Sequence, residues 1–419
     1  MEARLDNICC VITKALDAIE EELFGAVEQH SMRLAVLGAR IARQLGMDED
    51  HVMSIAVSAL LHDSALVEYY LSKQDPGQTE HTQLQNMRKH CEKGQMILDC
   101  IPLKHKPQGF TLYHHEYADG SGPFGKKAGE FPLEAEIISC IDDTDVKWNL
   151  QTLAVNDLAL VKEDLERLRG NKFQATTIDV CLEILDEATL LSLRSDKVFD
   201  TVEASLPPML ISLDDPAIIM LANVNAEAID YKSKFTRKHT DQIACRIYMM
   251  CDYYGYDEAQ KGIMYLSAGL HDMGKAKTPS EILEKPGKLT DDEFEIIKKH
   301  VYYTYLWLKD VPGFDDICRW AAGHHEKLDG SGYPLGLGAL DMDFNTRLLC
   351  CIDIYQAVSE ARPYHDARSH ADTMAIMYRM VDKGKIDGRI TRDLDEVMAP
   401  WSMQDVPAPA ITNCQPSLD

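Results

Sequence analysis

GLHDMGK, residues 269–275, closes an apolar run with helical spacing (Ile263, Met264, Leu266, Leu270) and sends an imidazole and a carboxylate, His271 and Asp272, off the backbone side by side. A His can hold one metal ion, and a carboxylate with two oxygens can bridge that ion to a second. The dipeptide alone decides little, because a lone buried His more often just satisfies a hydrogen bond. What surrounds it decides.

Outward from this stretch stand His239 in RKHTDQIA, His300 in KKHV, HHEKLDGSGYP at 324–334 and Asp353 in CCIDIY. KPGKLTDDE at 285–293 and ARPY at 361–364 complete the pattern. In this order His239, His271, Asp272, His300, His324, His325 and Asp353 resemble the HD-GYP family of cyclic-dinucleotide phosphodiesterases, a branch of the HD-domain metal phosphohydrolases. The resemblance covers most of the second half of the chain. It implies that His239, His271 and Asp353 hold one divalent ion, that His300, His324 and His325 hold another, and that Asp272 bridges them. Imidazole and carboxylate donors suit iron or manganese, and also nickel or zinc.

Two such ions activate water near neutral pH and clamp phosphate oxygens for in-line attack on a phosphodiester. Lys275, four residues after His271, shares its helical face if the helix continues, where it neutralises a phosphate oxygen or positions the nucleophile. By resemblance, Arg362 grips phosphate through its bidentate fork and Tyr333 of the GYP loop contacts a base. Asp272 and Lys275 form the expected catalytic pair; Lys275, Tyr333, Arg362 and His365 form the expected substrate contacts. Two positions depart from the family. Phe235 stands where some members carry a Glu for a third metal, so two ions are expected, and His365 stands where a Lys often follows ARPY.

The chain repeats itself. HSMRLA at 30–35, LLHDSA at 60–65, RKHCEKG at 88–94, YHHEYADGSGPFG at 113–125 and SCIDDTD at 139–145 lie in the register of the second half. His30 to His62 and His239 to His271 both span 32 residues, and His90 to His114 and His300 to His324 both span 24. Such agreement marks an internal duplication. A second possible ligand set follows: His30, His62, Asp63, His90, His114, His115 and Asp142. The substrate-facing positions differ, with Leu66, Pro123 and Gln151 where Lys275, Tyr333 and Arg362 stand. A degenerate first copy joined to an intact second resembles phosphodiesterases that prefer 3′,3′-cGAMP over cyclic di-GMP, with a linear 5′-phosphorylated dinucleotide as product. The competing reading is a sensor or adaptor that binds a cyclic dinucleotide, iron or oxygen without hydrolysis. Lys275, Arg362 and the GYP loop argue against it.

Apolar residues recur three and four apart nearly throughout, and alternating patterns are scarce, so an all-α fold of two tandem HD-domain bundles is expected. The expected boundaries are 1–197, a linker at 198–211 that overlaps the Pro-rich SLPPMLISLDDP at 205–216, a catalytic domain at 212–399, and a loosely ordered tail at 400–419. A net charge of −25 argues against polymeric nucleic acid. A small anionic substrate remains compatible, because bound divalent ions act at contact distance whereas surface charge is screened over about 8 Å. No apolar run reaches the ~18 residues of a membrane span, the N-terminus is unlike a signal peptide, and the twelve Cys lack paired metal-type spacing. A cytoplasmic protein with reduced thiols and a cyclic dinucleotide as its partner is expected.

Overall fold

The computed structural model describes residues 2–25, 27–66, 69, 79–194, 197–232, 239–285, 287–360 and 367–401. Among them, regular structure is helical except for one two-stranded sheet that pairs Glu2–Arg4 with Leu210–Ser212. The chain divides into two compact units, Arg4–Met209 and Leu210–Asp419 joined by Met1–Ala3. The division between Met209 and Leu210 lies inside the 198–211 stretch, where Val198–Ser205 is a helix that buries Val198 and Val202 against the first unit. The Pro-rich stretch beyond it leads into the strand Leu210–Ser212. The tail from 402 onward lies outside the described residues.

Each unit is built on the same helical pair, His30–Gln44 against Glu49–Leu61 and His239–Tyr253 against Glu258–Leu270. An Asp fourteen residues before the HisAsp pair starts the second helix in both: Asp48 accepts from the amide of His51, and Asp257 from that of Gln260. Such caps are worth about 1 kcal/mol each and fix the residue at which the helix begins. They therefore set where His62 and His271 emerge. Ile55, Leu60, Ile137 and Ile141 fill the first core; Ile243, Ile247, Leu266 and Ile352 fill the second.

The duplication extends to single hydrogen bonds. Ala118, four residues after His114, donates to the carbonyl of Lys172 at 2.8 Å, and Leu328, four after His324, donates to Lys385 at 3.0 Å. One contact is mirrored with its partners exchanged. A Cβ on Gly274 would come within 1.9 Å of the carbonyl oxygen of His300, and Thr304 opposite donates its hydroxyl to His271 O at 3.0 Å. In the first unit Ala65 replaces Gly274 and Gly94 replaces Thr304. A Cβ on Gly94 would meet Cγ2 of Thr111 at 2.8 Å and the carbonyl oxygen of His62 at 3.4 Å, so Thr111 packs where the first unit lacks the threonine of the second.

Candidate metal centre

The helix Glu258–Leu270 stops at His271, and Met273–Lys277 continues as a tighter turn. The helix does not carry on through Lys275, so the expected shared face is not what orients this side chain. Its ammonium instead bonds Oδ2 of Asp272. Lys232, buried on the helix Pro216–Lys232, holds the turn from below by donating to the carbonyls of Lys275 and Ala276.

The six remaining residues of the second set fall into two groups of three. Ligand atoms of His239, His271 and Asp353 lie within 4.8 Å of one another, and so do those of His300, His324 and His325. Asp272 stands between the groups with one oxygen toward each. Its Oδ2 is 3.1 Å from Nε2 of His271, and its Oδ1 is 3.3 and 3.7 Å from Nε2 of His300 and His324. His271, His300 and His324 each donate Nδ1–H to the backbone carbonyl three residues earlier. A carbonyl can only accept, so Nε2 of each ring carries its lone pair into the site.

Burial and charge favour the same protonation states at His324, His325 and Asp272, whereas His239 is drawn toward its charged form by the carboxylate beside it. Burial pushes His325 down to about 3 and His324 well below the usual imidazole range. Burial would raise Asp272, but the imidazole of His271 and the ammonium of Lys275 hold it well below the usual carboxylate range. His239 is raised to about 9 against its burial, chiefly by Glu360, which accepts from Nδ1 at 2.8 Å. Among the described residues, four buried polar atoms here have no hydrogen-bond partner: Nε2 of His271, His300 and His324, and Oδ1 of Asp272. Each such atom costs about 1–3 kcal/mol if left unsatisfied. Convergent nitrogen and oxygen lone pairs with no donor among them are what divalent ions satisfy, so the residues present fit the implied metals.

Glu326, directly after the HisHis pair, organises the loop that follows. Its carboxylate accepts from the amides of Leu335, Gly336 and Leu337 at 2.7, 3.2 and 2.9 Å. A Cβ on Gly332 would lie 2.4 Å from Cα of Glu326, so only Gly lets the loop close on that residue. Tyr333 is set 4.9 Å from the His325 ring and Lys298 Nζ lies 5.8 Å over it. Glu326→Ala removes the shared acceptor from three amides. We expect about 1–3 kcal/mol lower stability and a KM raised more than kcat falls, checked by thermal melts and steady-state kinetics. Arg362, His365 and Phe235 lie outside the described residues.

The first unit repeats this layout with a difference in detail. His30, His62 and Asp142 form one cluster, and His90, His114 and His115 another, now with Cys91 among them. Asp63 again stands between, 3.2 Å from Nε2 of both His62 and His90. His30 has carboxylates at both nitrogens, Asp145 at 2.7 Å and Asp142 at 3.1 Å, where His239 has Glu360 at 2.8 Å and Asp353 at 3.6 Å. Buried Arg33 binds that Asp145. Leu66 is buried, and Arg88 donates to the carbonyl of Pro123 at 2.7 Å. Sequence reasoning missed Glu326, Glu360, Asp145, Lys232 and Cys91. The E of HHE was a visible signal for the first; the others become evident only in three dimensions.

The HD-domain family profile matches residues 16–145 and 223–390. The chain is 27% identical over 392 residues to 3′3′-cGAMP-specific phosphodiesterase 1 of Vibrio cholerae, covering 90% of this chain and 88% of that one. It is 31% identical over 266 residues to phosphodiesterase 3 of the same name and organism, 62% of this chain and 56% of that one. A crystal structure of a cyclic GMP-AMP specific phosphodiesterase from V. cholerae superposes with a TM-score of 0.67 at 20% identity over 96% of this chain and 99% of that one, which establishes the shared fold. With the profile matched in both units, the chain belongs to the HD-domain family and carries that domain twice.

Proposed function

We propose that the second unit hydrolyses a cyclic dinucleotide to the linear 5′-phosphorylated dinucleotide at two divalent ions, and that the first unit does not. The observation that carries this reading is Asp272, whose two oxygens face two separate ligand groups while Lys275 bonds the same carboxylate. His239, His271 and Asp353 would hold one ion, His300, His324 and His325 the other, with Asp272 shared. Iron or manganese suits these donors first, nickel or zinc next. When bound, such ions supply Lewis acidity to phosphoryl oxygens and activation of water near neutral pH.

The protein's own groups do the rest. Lys275 presents an ammonium beside the shared carboxylate, where a substrate phosphate would lie. Tyr333, flanked by His325 and Lys298, offers a ring for a base to stack on. Arg362 and His365 are assigned to substrate phosphate from the sequence. In the first unit a buried Leu66, Pro123 and Gln151 supply no ammonium, phenol or guanidinium. Likeness over most of the chain to a relative named for 3′3′-cGAMP favours that substrate over cyclic di-GMP. The described cysteines form no disulfide, which suits a reducing cytoplasm.

The test is to incubate the metal-loaded full chain separately with 3′,3′-cGAMP, cyclic di-GMP and a nucleoside triphosphate, and to resolve the products chromatographically. The expected result is a linear dinucleotide, formed fastest from 3′,3′-cGAMP. Tight binding of either cyclic dinucleotide without turnover, or cleavage of the triphosphate alone, would contradict the reading.

A further inference from the structure

Cys91 follows His90 on the helix Glu80–Cys100, and its sulfur lies in one group with His90, His114 and His115, all four ligand atoms within 4.8 Å of one another. His90, Cys91 and His114 are buried. The corresponding residue after His300 is Val301, so the second unit has no thiol at this place. We propose that the first unit holds a single thiolate-ligated ion of the zinc class at His90, Cys91, His114 and His115, unlike the carboxylate-bridged pair of the second unit.

Two observations independent of the cysteine point the same way. Among the described residues, Nδ1 of His90 and Nε2 of His115 are buried without a hydrogen-bond partner, so the imidazoles around the sulfur have unused ligand capacity. On the opposite side, His30 is bonded to Asp142 and Asp145 through its two nitrogens, and Arg33 neutralises Asp145. The equivalent contact in the second unit, His239 Nε2 to Asp353, is 3.6 Å against 3.1 Å for His30 to Asp142. His30 and Asp142 are therefore 0.5 Å closer than His239 and Asp353, which leaves less space for an ion between them, and the ion is placed on the thiol side.

Donor chemistry sets the class of that ion. Three imidazoles and a thiolate make a soft, four-ligand set of the kind that closes a structural zinc site. The thiol releases its proton to solvent on binding. Four protein ligands leave no open position for water, and the site needs none, since Leu66 and Pro123 have replaced the substrate contacts. The ion's place is to tie the helix Glu80–Cys100 to the loop that carries His114 and His115.

The test reads metal binding and no hydrolysis, so it stands apart from the phosphodiesterase reading. The metal-stripped full chain is reconstituted with Co²⁺ and its absorption spectrum recorded, with metal content measured in parallel by elemental analysis. The expected result is three ions per chain and a thiolate-to-cobalt charge-transfer band in the near ultraviolet. Cys91→Val, which installs the residue found at 301, loses the band and one ion per chain. Asp272→Ala keeps the band. A wild-type spectrum without the band overturns the proposal, as does a band and ion count that survive Cys91→Val in folded protein.

Discussion

Asp272→Ala is expected to lower kcat by at least about 10³-fold, the scale lost when a preorganised charge at the reacting centre is removed. The reason is placement. Oδ2 and Oδ1 of Asp272 face His271 on one side and His300 and His324 on the other, so no other residue of the set can take over both contacts. The variant should also hold fewer ions than wild type, read by elemental analysis. Asp63→Ala, at the same position of the first unit, should leave turnover within a few-fold of wild type and act mainly on thermal stability. Wild-type turnover in Asp272→Ala together with a dead Asp63→Ala would mean that the two units have been assigned in reverse.

Lys275→Ala should separate metal binding from rate. Its ammonium touches the carboxylate of Asp272 and none of the imidazoles, so both ions should remain while kcat falls by about 10²–10³-fold. The turn itself should persist, because Lys232 holds the backbone carbonyls of Lys275 and Ala276 independently of the mutated side chain. Metal content is measured by elemental analysis and rate by single-turnover product formation. An unchanged rate would remove Lys275 from the substrate site; loss of both ions would make it a structural partner of Asp272 alone.

The all-α fold and its duplication were legible because ligand intervals survive divergence: a His moved by one residue turns about 100° away on a helix and leaves the site. Helix caps at Asp48 and Asp257 follow the same register and sit in plain view of the sequence. The partners of these residues were less legible. Asp145 supports His30 from three residues after Asp142, whereas Glu360 supports His239 from seven after Asp353, so the same hydrogen bond is made from different sequence positions. The exchange of Gly274 and Thr304 for Ala65 and Gly94 looks like two unrelated substitutions until the helices are seen in contact. Cys91 read as a core thiol because no second Cys stands at a ligand spacing; its partners are imidazoles 23 and 24 residues away, across a loop. The short amphipathic helix Val198–Ser205 was likewise not legible beside the prolines that marked the linker.

The central claim is that Asp272 is shared by two ions, and anomalous scattering from crystals of the metal-loaded chain tests it most directly. The account predicts two peaks in the second unit, about 3.5–4 Å apart, with one oxygen of Asp272 toward each. A single peak there in fully loaded protein, or two peaks that Asp272 does not join, would contradict it.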